Sequence, residues 1–451
     1  MSLKLQEDTI AAIATPPGRS ALSVIRMSGP AAFEIGRKHI KPWPKEARTA
    51  YLSTVHNGEV LLDQALVSLF PGPDSFTGED TVEVSAHGGY LVPGSILGAL
   101  ISSGARQAAG GEFTRRAVLN GKLDLLQAEA VGDLIDAQSL GMQETALGQL
   151  DGGLSRRLLE LREKLLELEA LLAYDIDFPE EDDGPIAGEK IATATTNLID
   201  SIGLLLATAP AGELIREGAT VVIAGPPNAG KSSLFNALIG RSRAIVTEIP
   251  GTTRDALEAV IDNGNFPLRI VDTAGLRESA DPIERLGIEV SERYLAAAHV
   301  ILACAESQEA LNLTTLNVAA RSSAPVIPVR TKIDLVTDSD QSGQATAIGV
   351  SAPNGTGLSR LLSSIEQVLA AKYGEVSVDF PMLTKARHQL ALSTALEEIE
   401  AFQACWRERK LPVSIASVHL RTAVNALEEL VGAVDVEDVL DRLFSSFCVG
   451  K

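Results

Sequence analysis

The stretch GATVVIAGPPNAGKS, from Gly218 to Ser232, decides the fold of the chain around it. Its first half is a short apolar run, which predicts a buried parallel strand. Its second half, Gly225 to Ser232, fits the pattern G-x-x-x-x-G-K-S, a tight loop whose backbone N–H groups surround a polyphosphate. A helix predicted at Ser233–Ile239 points its positive end at that anion. Because the motif lies between a strand and a helix, it predicts a nucleoside triphosphate site rather than an accidental glycine turn.

The metal and the γ-phosphate are expected to be held by three segments. Lys231 would reach the β- and γ-phosphates, and the Ser232 hydroxyl would bind Mg²⁺. Gly251-Thr252-Thr253-Arg254-Asp255 offers a threonine that can close on Mg²⁺ when the γ-phosphate is present. Asp272-Thr273-Ala274-Gly275 ends a predicted strand and places a carboxylate near the metal. These motifs follow one another in the chain order of a GTPase.

Recognition of the base is expected from two later motifs. In Thr331-Lys332-Ile333-Asp334 the Asp334 carboxylate can accept hydrogen bonds from guanine N1 and N2. Ser351-Ala352-Pro353 would back the base. Thr331 stands where asparagine is usual, so we expect one contact with the base to be lost, while Asp334 still selects guanine over adenine.

Alternating strands and helices surround these motifs and predict a mostly parallel sheet with helices on both faces, in a domain at 217–373. The predicted strands are Val221–Ala224, Leu268–Val271, Val300–Ala303, Val326–Arg330 and Ala347–Val350.

Both flanks of this domain are helical in pattern, at 122–216 and 374–451. Arg156–Tyr174 has apolar residues three and four apart, which predicts a long amphipathic helix. The nucleotide domain is therefore interpreted as an insertion into a helical domain.

Residues 1–121 are predicted to form a separate α+β unit with four strands and one helix. These elements are Thr9–Thr15, Ala21–Met27, Ala31–His39 (the helix), Glu59–Phe70 and Thr81–Ser85.

Composition limits the classes of function. A net charge of −20 argues against a broad nucleic-acid-binding surface, so an RNA partner would need a local patch or a second protein. Three scattered cysteines do not suit a disulfide framework or a metal site. The start has no apolar signal region, and we find no run of eighteen apolar residues, so a soluble cytoplasmic protein is expected.

The sequence leaves open which group assists hydrolysis. Leu276 follows the D-T-A-G motif, where a small Ras-like GTPase has a water-orienting glutamine. Asn228, within the phosphate loop, could hold a monovalent cation that neutralises charge between the β- and γ-phosphates. Glu284 could direct the water, although on its own it reads as a surface carboxylate.

With the loop asparagine, G-T-T-R-D and D-T-A-G-L together, the chain resembles the potassium-dependent, dimerisation-activated P-loop GTPases. The final Phe447-Cys448-Val449-Gly450-Lys451 narrows the resemblance to the tRNA-modification GTPase family MnmE (TrmE). The match runs essentially end to end. It includes Asp8-Thr9-Ile10, Phe76-Thr77-Gly78-Glu79-Asp80, His87-Gly88-Gly89, Gly111-Glu112-Phe113-Thr114 and Asn120-Gly121-Lys122-Leu123-Asp124-Leu125.

The resemblance implies an N-terminal domain (1–121) that dimerises and binds a tetrahydrofolate derivative (5,10-methylene- or 5-formyl-). A central all-α domain (122–216 and 374–451) and an inserted α/β GTPase domain (217–373) complete the family's architecture. Together with a flavoprotein, MnmG, in a heterotetramer-type complex, such enzymes install an aminomethyl-type group on C5 of the wobble uridine of certain tRNAs. The one-carbon unit comes from the folate. Hydrolysis of GTP is activated by K⁺ and by pairing of the GTPase domains.

Carried over by motif, Arg26, Glu83, Lys122 and Lys451 would contact the folate, although on spacing alone the first three pass as surface charges. Asn228, Thr247, Ile249 and Thr252 would ligate K⁺, Ser232 and Thr253 would hold Mg²⁺, and Glu284 would orient the attacking water. The full set of expected GTP contacts is Asn228, Ala229, Gly230, Lys231, Ser232, Ser233, Thr247, Glu248, Ile249, Pro250, Gly251, Thr252, Thr253, Asp272, Thr273, Ala274, Gly275, Thr331, Lys332, Asp334, Ser351, Ala352 and Pro353.

The sequence allows two interpretations of Cys448 and two interpretations of the function of the whole chain. The ending after Cys448 fits a prenylation signal poorly, and a buried thiol is the usual reading of such a cysteine. The resemblance implies instead a catalytic role near the folate, as nucleophile or as support. The competing function is a GTP switch, such as a ribosome-assembly factor, which would need neither the folate residues nor the Cys448 tail.

Overall fold

The computed structural model describes residues 8–177, 188–241, 257–272, 292–335, 347–374, 381–408, 413–432 and 450. The chain divides into two compact units. We call Met1–Gly132 with Leu427–Lys451 the N-terminal unit, and Asp133–Ala426 the central unit. The predicted multidomain class is confirmed, with an α+β part, a helical part and an α/β part.

The N-terminal unit is built on a seven-stranded sheet in the order β3-β4-β5-β6-β2-β1-β7, in which β1 and β7 are the parallel pair. Its strands are β1 (Ile10–Ile13), β2 (Leu22–Ser28), β3 (Ile40–Lys41), β4 (Tyr51–Asn57), β5 (Val60–Phe70), β6 (Thr81–His87) and β7 (Arg106–Gln107). Its helices include α1 (Ala32–His39), α2 (Val92–Ser102) and α3 (Glu112–Leu119), and α4 (Leu125–Asp136) continues into the central unit.

Alternation along β2 and β6 separates the two faces of this sheet. Ile25 and Met27 point into an apolar core, whereas Arg26 lies on the other face, directly opposite Glu83 of β6. The four predicted strands of this region and the helix α1 are confirmed, with ends shifted by up to two residues. The sequence prediction missed β4 because its polar residues mask the alternation.

An ion-pair network joins β1, β7 and α3. Arg116, buried on α3, donates to Asp8 at 2.6 Å and to Glu112 at 3.2 Å, and Arg106 donates to both carboxylates. Burial acts to raise the pKa values of Glu112 and Asp8, but the hydrogen bonds from Arg106 and Arg116 lower both below their ordinary values of 4.5 and 3.8. Folding therefore favours the ionised carboxylates.

We expect Glu112→Gln to destabilise the N-terminal unit by about 2 kcal/mol at pH 7, because it removes the charge from a hydrogen-bonded buried pair. A carboxyl with a depressed folded pKa contributes stability above its unfolded pKa, and that stability is lost as the pH falls through the folded value. The difference in urea midpoint between wild type and variant should therefore shrink as the pH falls below 4.5. Glu34→Gln, at an exposed carboxylate of α1, is the control. If the urea midpoints of wild type and Glu112→Gln differ as much at pH 3 as at pH 7, the ionised Glu112 does not stabilise the fold.

The central unit contains a six-stranded sheet in the order β13-β12-β11-β8-β10-β9, parallel except for the pair β9 and β10. Its strands are β8 (Ala219–Ala224), β9 (Leu257–Ile261), β10 (Leu268–Asp272), β11 (Val300–Ala305), β12 (Val326–Arg330) and β13 (Ile348–Gly349). Helices α9 (Lys231–Arg241), α10 (Gln308–Ala319) and α11 (Leu358–Tyr373) flank these strands in the chain. All five predicted strands are confirmed, and β9 was missed.

The helical part of the central unit comprises α5 (Leu140–Leu150), α6 (Gly153–Asp177), α7 (Gly188–Leu206), α8 (Ala209–Glu217) and α12 (Ala386–Glu408), and α13 (Val413–Val431) continues into the N-terminal unit. The amphipathic helix predicted at Arg156–Tyr174 is confirmed as part of α6. The apolar pattern of Val436–Phe444 predicts a further helix, and Asp175–Gly184 predicts an acidic loop. The first and residues 178–184 of the second lie outside the described residues.

One stretch of the described chain, Gly188–Glu217, is long and apolar enough to cross a membrane by length and composition alone, since an 18-residue window within it has a mean hydropathy of 1.5. The structure divides it into α7 and α8, with Pro210 in the first turn of α8. The buried side of α7, which includes Leu198 and Ile202, packs against α6 and α12. A core helix of a bundle passes the same test of length and hydropathy, and α7 is such a helix.

Candidate nucleotide and folate sites

The phosphate loop connects β8 to α9, as the sequence predicts. Gly225 leaves β8 beside the neighbouring strand, where a Cβ atom would lie 2.2 Å from the carbonyl oxygen of Cys304. Gly230 has φ +78°, a backbone conformation that favours glycine. Glycine is thus required at the first position by the close approach of the neighbouring strand and at the second by the left-handed backbone. The two glycines bring the loop back to the first turn of α9, whose N–H groups can bind an anion.

Of the residues predicted to hold Mg²⁺, the two that the structure describes lie in contact. The Ser232 hydroxyl donates to Asp272 Oδ2 at 2.7 Å, and Asp272 is fully buried at the end of β10. Mg²⁺ prefers hard oxygen donors and keeps several water ligands, so a hydroxyl beside a carboxylate suits it. The third expected group, Thr253, lies outside the described residues. Within the described ranges, no cluster of three or more His, Cys, Asp or Glu forms a metal site of another kind.

Lys231 lies at the centre of the loop. It is buried, and its Nζ donates to the carbonyl oxygens of Gly225 and Pro226, at 3.1 and 2.8 Å. The ammonium group is therefore on the inner side of the loop, where a polyphosphate would be enclosed. Cys304 lies beneath it at the end of β11, and burial raises the pKa of its thiol to about 12. That cysteine is a packing residue.

Asn228 takes a left-handed backbone conformation, with φ 62°, at the exposed tip of the loop. A non-glycine residue in this region is uncommon and usually held by its surroundings. Its carbonyl oxygen accepts from Lys332 Nζ at 2.9 Å. The other expected K⁺ ligands, Thr247, Ile249 and Thr252, lie outside the described residues.

The base-recognition motif is tied to the phosphate loop. Thr331 is buried, and its hydroxyl donates to the Ala229 carbonyl at 2.7 Å. Threonine therefore holds the loop, a contact that sequence reasoning missed because it considered only the base. Asp334 is exposed on the turn Ile333–Leu335, where its carboxylate can meet a guanine edge. Ser351 is buried, and its hydroxyl has no hydrogen-bond partner in the described structure.

Two of the four expected folate residues, Arg26 and Glu83, form a pair on the face of the sheet opposite the core that holds Ile25 and Met27. Arg26 Nε donates to Glu83 Oε1 at 2.8 Å, and both side chains are about a quarter exposed, at 23% and 27%. The Arg26 guanidinium lies 5.6 and 5.7 Å from the ring centres of Phe76 and Phe113. Phe76 is 40% exposed, so its ring beside the paired arginine and glutamate can contact a flat heterocycle with polar edges, whereas Phe113 is fully buried.

Gly450, the residue of the C-terminal motif that the structure describes, contacts the same sheet. Gly450 has φ +100°, and a Cβ there would lie 2.6 Å from the Ile13 carbonyl oxygen, so glycine is needed for this close approach. Ile13 ends β1, the strand that pairs with β2, and Ala12 lies opposite Arg26. Gly450 therefore lies at the end of β1, the strand next to β2, which carries Arg26. Lys122 is exposed after α3, whereas Cys448 and Lys451 lie outside the described residues.

Several further expected residues also lie outside the described ranges. They are Glu248, Pro250, Gly251, Thr273, Ala274, Gly275 and Glu284.

Two family models match the chain. The model described as "GTP-binding protein TrmE N-terminus" matches residues 9–122, and the "MnmE helical domain" model matches residues 125–448. Curated relatives named "tRNA modification GTPase MnmE" align over nearly the whole chain. Those of Methylobacterium radiotolerans and Moorella thermoacetica are 42% and 39% identical, each covering 99% of this chain and 100% of the relative. That of Aquifex aeolicus is 39% identical over 98% of this chain and 100% of the relative.

Proposed function

Since the chain belongs to the MnmE family of tRNA modification GTPases, we propose that its GTP hydrolysis serves the modification of the wobble uridine at C5 in certain tRNAs. The observation that carries the nucleotide part is one connected site in the central unit. Lys231, Ser232 and Asp272 surround the phosphate position, and Thr331 connects that loop to the motif that carries Asp334.

In the proposed mechanism, this chain's residues place the nucleotide and its charges. The loop N–H groups and Lys231 bind the phosphates, while Asp334 binds the guanine edge. Ser232 and Asp272 fit a hydrated Mg²⁺, which would neutralise the phosphate oxygens. Leu276 can neither accept from nor orient a water, so the residues Asn228 and Glu284 are assigned to the cation and the water.

A bound K⁺ would supply positive charge where the leaving phosphate oxygen develops negative charge. Asn228 is suited to such an ion because its side chain is exposed at the loop tip and its backbone is held by Lys332. The proposal includes Thr247, Ile249 and Thr252 as the remaining ligands and Thr253 beside Mg²⁺. It also includes pairing of two GTPase domains in a homodimer.

In the N-terminal unit, we assign Arg26, Glu83, Lys122 and Lys451 to a tetrahydrofolate derivative, with Cys448 close by. The Arg26–Glu83 pair and the partly exposed ring of Phe76 beside it support this assignment. The folate would carry the one-carbon unit, and a flavoprotein of the MnmG type would be the partner in a cytoplasmic complex. Domain limits of 1–121, 122–216 with 374–451, and 217–373 complete the proposal.

The test is direct binding of 5-formyltetrahydrofolate to the full chain, measured by calorimetry. Arg26→Ala should weaken binding by about tenfold to a hundredfold, the range expected for loss of a charge-assisted hydrogen bond. Arg156→Ala, at an exposed arginine of α6, is the control and should bind as wild type does. A wild-type chain that hydrolyses GTP but binds no folate would favour the GTP-switch function instead.

A further inference from the structure

Two successive residues of the base-recognition motif hold two successive carbonyl groups of the phosphate loop. Thr331 Oγ1 donates to the Ala229 carbonyl at 2.7 Å, and Lys332 Nζ donates to the Asn228 carbonyl at 2.9 Å. The first bond is buried. The second lies at the surface, where a lysine side chain has several rotamers and water competes for its ammonium group. A carboxylate close to Lys332 would favour this position of its ammonium group.

Glu306 supplies that carboxylate. Its carboxylate accepts from Lys332 Nζ in a close ion pair, with the lysine side chain 37% and the glutamate side chain 51% exposed. The backbone of Glu306 is fixed at the end of β11, because its carbonyl oxygen accepts from Arg330 Nε at 3.2 Å. The preceding Ala305 carbonyl accepts from the Thr331 N–H at 2.9 Å. The carboxylate thus projects from a rigid strand end toward the lysine.

The contact has a consequence for Asn228. Its left-handed φ of 62° sets the direction in which its side chain leaves the loop. Lys332 also has a positive φ, 56°, so two strained residues face each other across this hydrogen bond. Such conformations persist when the surroundings over-determine them. Removing the carboxylate would free the ammonium group and loosen the Asn228 backbone.

We propose that Glu306 is a positioning residue for nucleotide binding and hydrolysis: by neutralising Lys332 it holds that lysine on the Asn228 carbonyl. The base-binding motif and the tip of the phosphate loop are thereby kept in one arrangement. The part that concerns the cation rests on the proposed role of Asn228, whereas the part that concerns nucleotide retention does not.

Glu306→Gln tests this, because it removes the charge and preserves the shape of an exposed side chain. In the full chain, we expect fluorescent GDP to dissociate about fivefold faster, and the K⁺ concentration for half-maximal GTP hydrolysis to rise about fivefold, as suits a half-exposed ion pair. Glu306→Asp keeps the charge and should recover part of both changes. Glu309→Gln, an exposed carboxylate in the first turn of α10, is the matched control and should stay within about twofold of wild type.

The outcomes are separable. Equal GDP dissociation rates for Glu306→Gln and Glu309→Gln would overturn the positioning role. A wild-type chain that hydrolyses GTP equally well in K⁺ and Na⁺ would instead refute the proposed cation site, and the GDP dissociation rate alone would then decide the role of Glu306. If Glu306→Gln changes the GDP dissociation rate but not the K⁺ concentration for half-maximal hydrolysis, Glu306 acts in nucleotide binding alone.

Discussion

Asp334→Asn is expected to reverse the base preference of this chain from guanine toward xanthine. The Asp334 carboxylate only accepts hydrogen bonds and suits the N1 and N2 donors of guanine. An amide presents an N–H donor in place of one acceptor, and xanthine carries a carbonyl oxygen where guanine has its amino group. A site built around a hydrogen bond discriminates strongly, so we expect GTP affinity to fall by about a thousandfold and XTP affinity to rise. Competition between the two nucleotides for the same fluorescent analogue measures both.

Asp200→Asn, which makes the same change on an exposed position of α7, is the control for this experiment. It should leave both affinities unchanged. Equal loss of GTP and XTP binding in Asp334→Asn would show that the substitution disturbs the turn Ile333–Leu335 rather than the choice of base. Unchanged GTP affinity would place guanine recognition elsewhere.

Asn228→Ala should remove the dependence of GTP hydrolysis on K⁺. We expect hydrolysis by the wild-type chain to fall by about a hundredfold or more when Na⁺ replaces K⁺, in the range seen for loss of one preorganised electrostatic contact to a transition state. The alanine variant should be slow in both salts, because it lacks the side-chain oxygen that would ligate the ion. Initial rates at equal ionic strength, with Mg²⁺ and GTP saturating, give the comparison.

Asn317→Ala, an exposed position on α10, is the matched control and should retain the K⁺ response. GTP affinity should be measured for every variant, since a loss of binding would also lower the rate. If the Asn228→Ala variant hydrolyses GTP at the wild-type rate in K⁺, the assignment of Asn228 as a K⁺ ligand is wrong. Retained affinity together with a lost K⁺ response would support it.

The strand, loop and helix of the phosphate-binding motif were predictable because the motif is local. The sequence Gly225 to Ser232 encodes a turn, a close approach and a helix start within a few residues, and β8 and α9 follow from their apolar patterns. The strand β9 was not predictable in the same way. It is a short antiparallel addition at the edge of the sheet, and its register is set by β10. The strand β4 was missed because its polar residues mask the alternation, so that only its pairing with β5 defines it.

By itself, the sequence predicted that a phosphate loop, a candidate aspartate ligand for Mg²⁺ and a candidate guanine-binding motif follow one another in a parallel α/β domain, because each motif depends on neighbours in the chain. Only the tertiary structure decided which separate segments touch. Thr331 meets Ala229 across 102 positions, and Arg26 meets Glu83 across 57. Lys332 is shared between Asn228 and Glu306. These contacts depend on strand order and register, which arise when whole sheets pack and which no local pattern records.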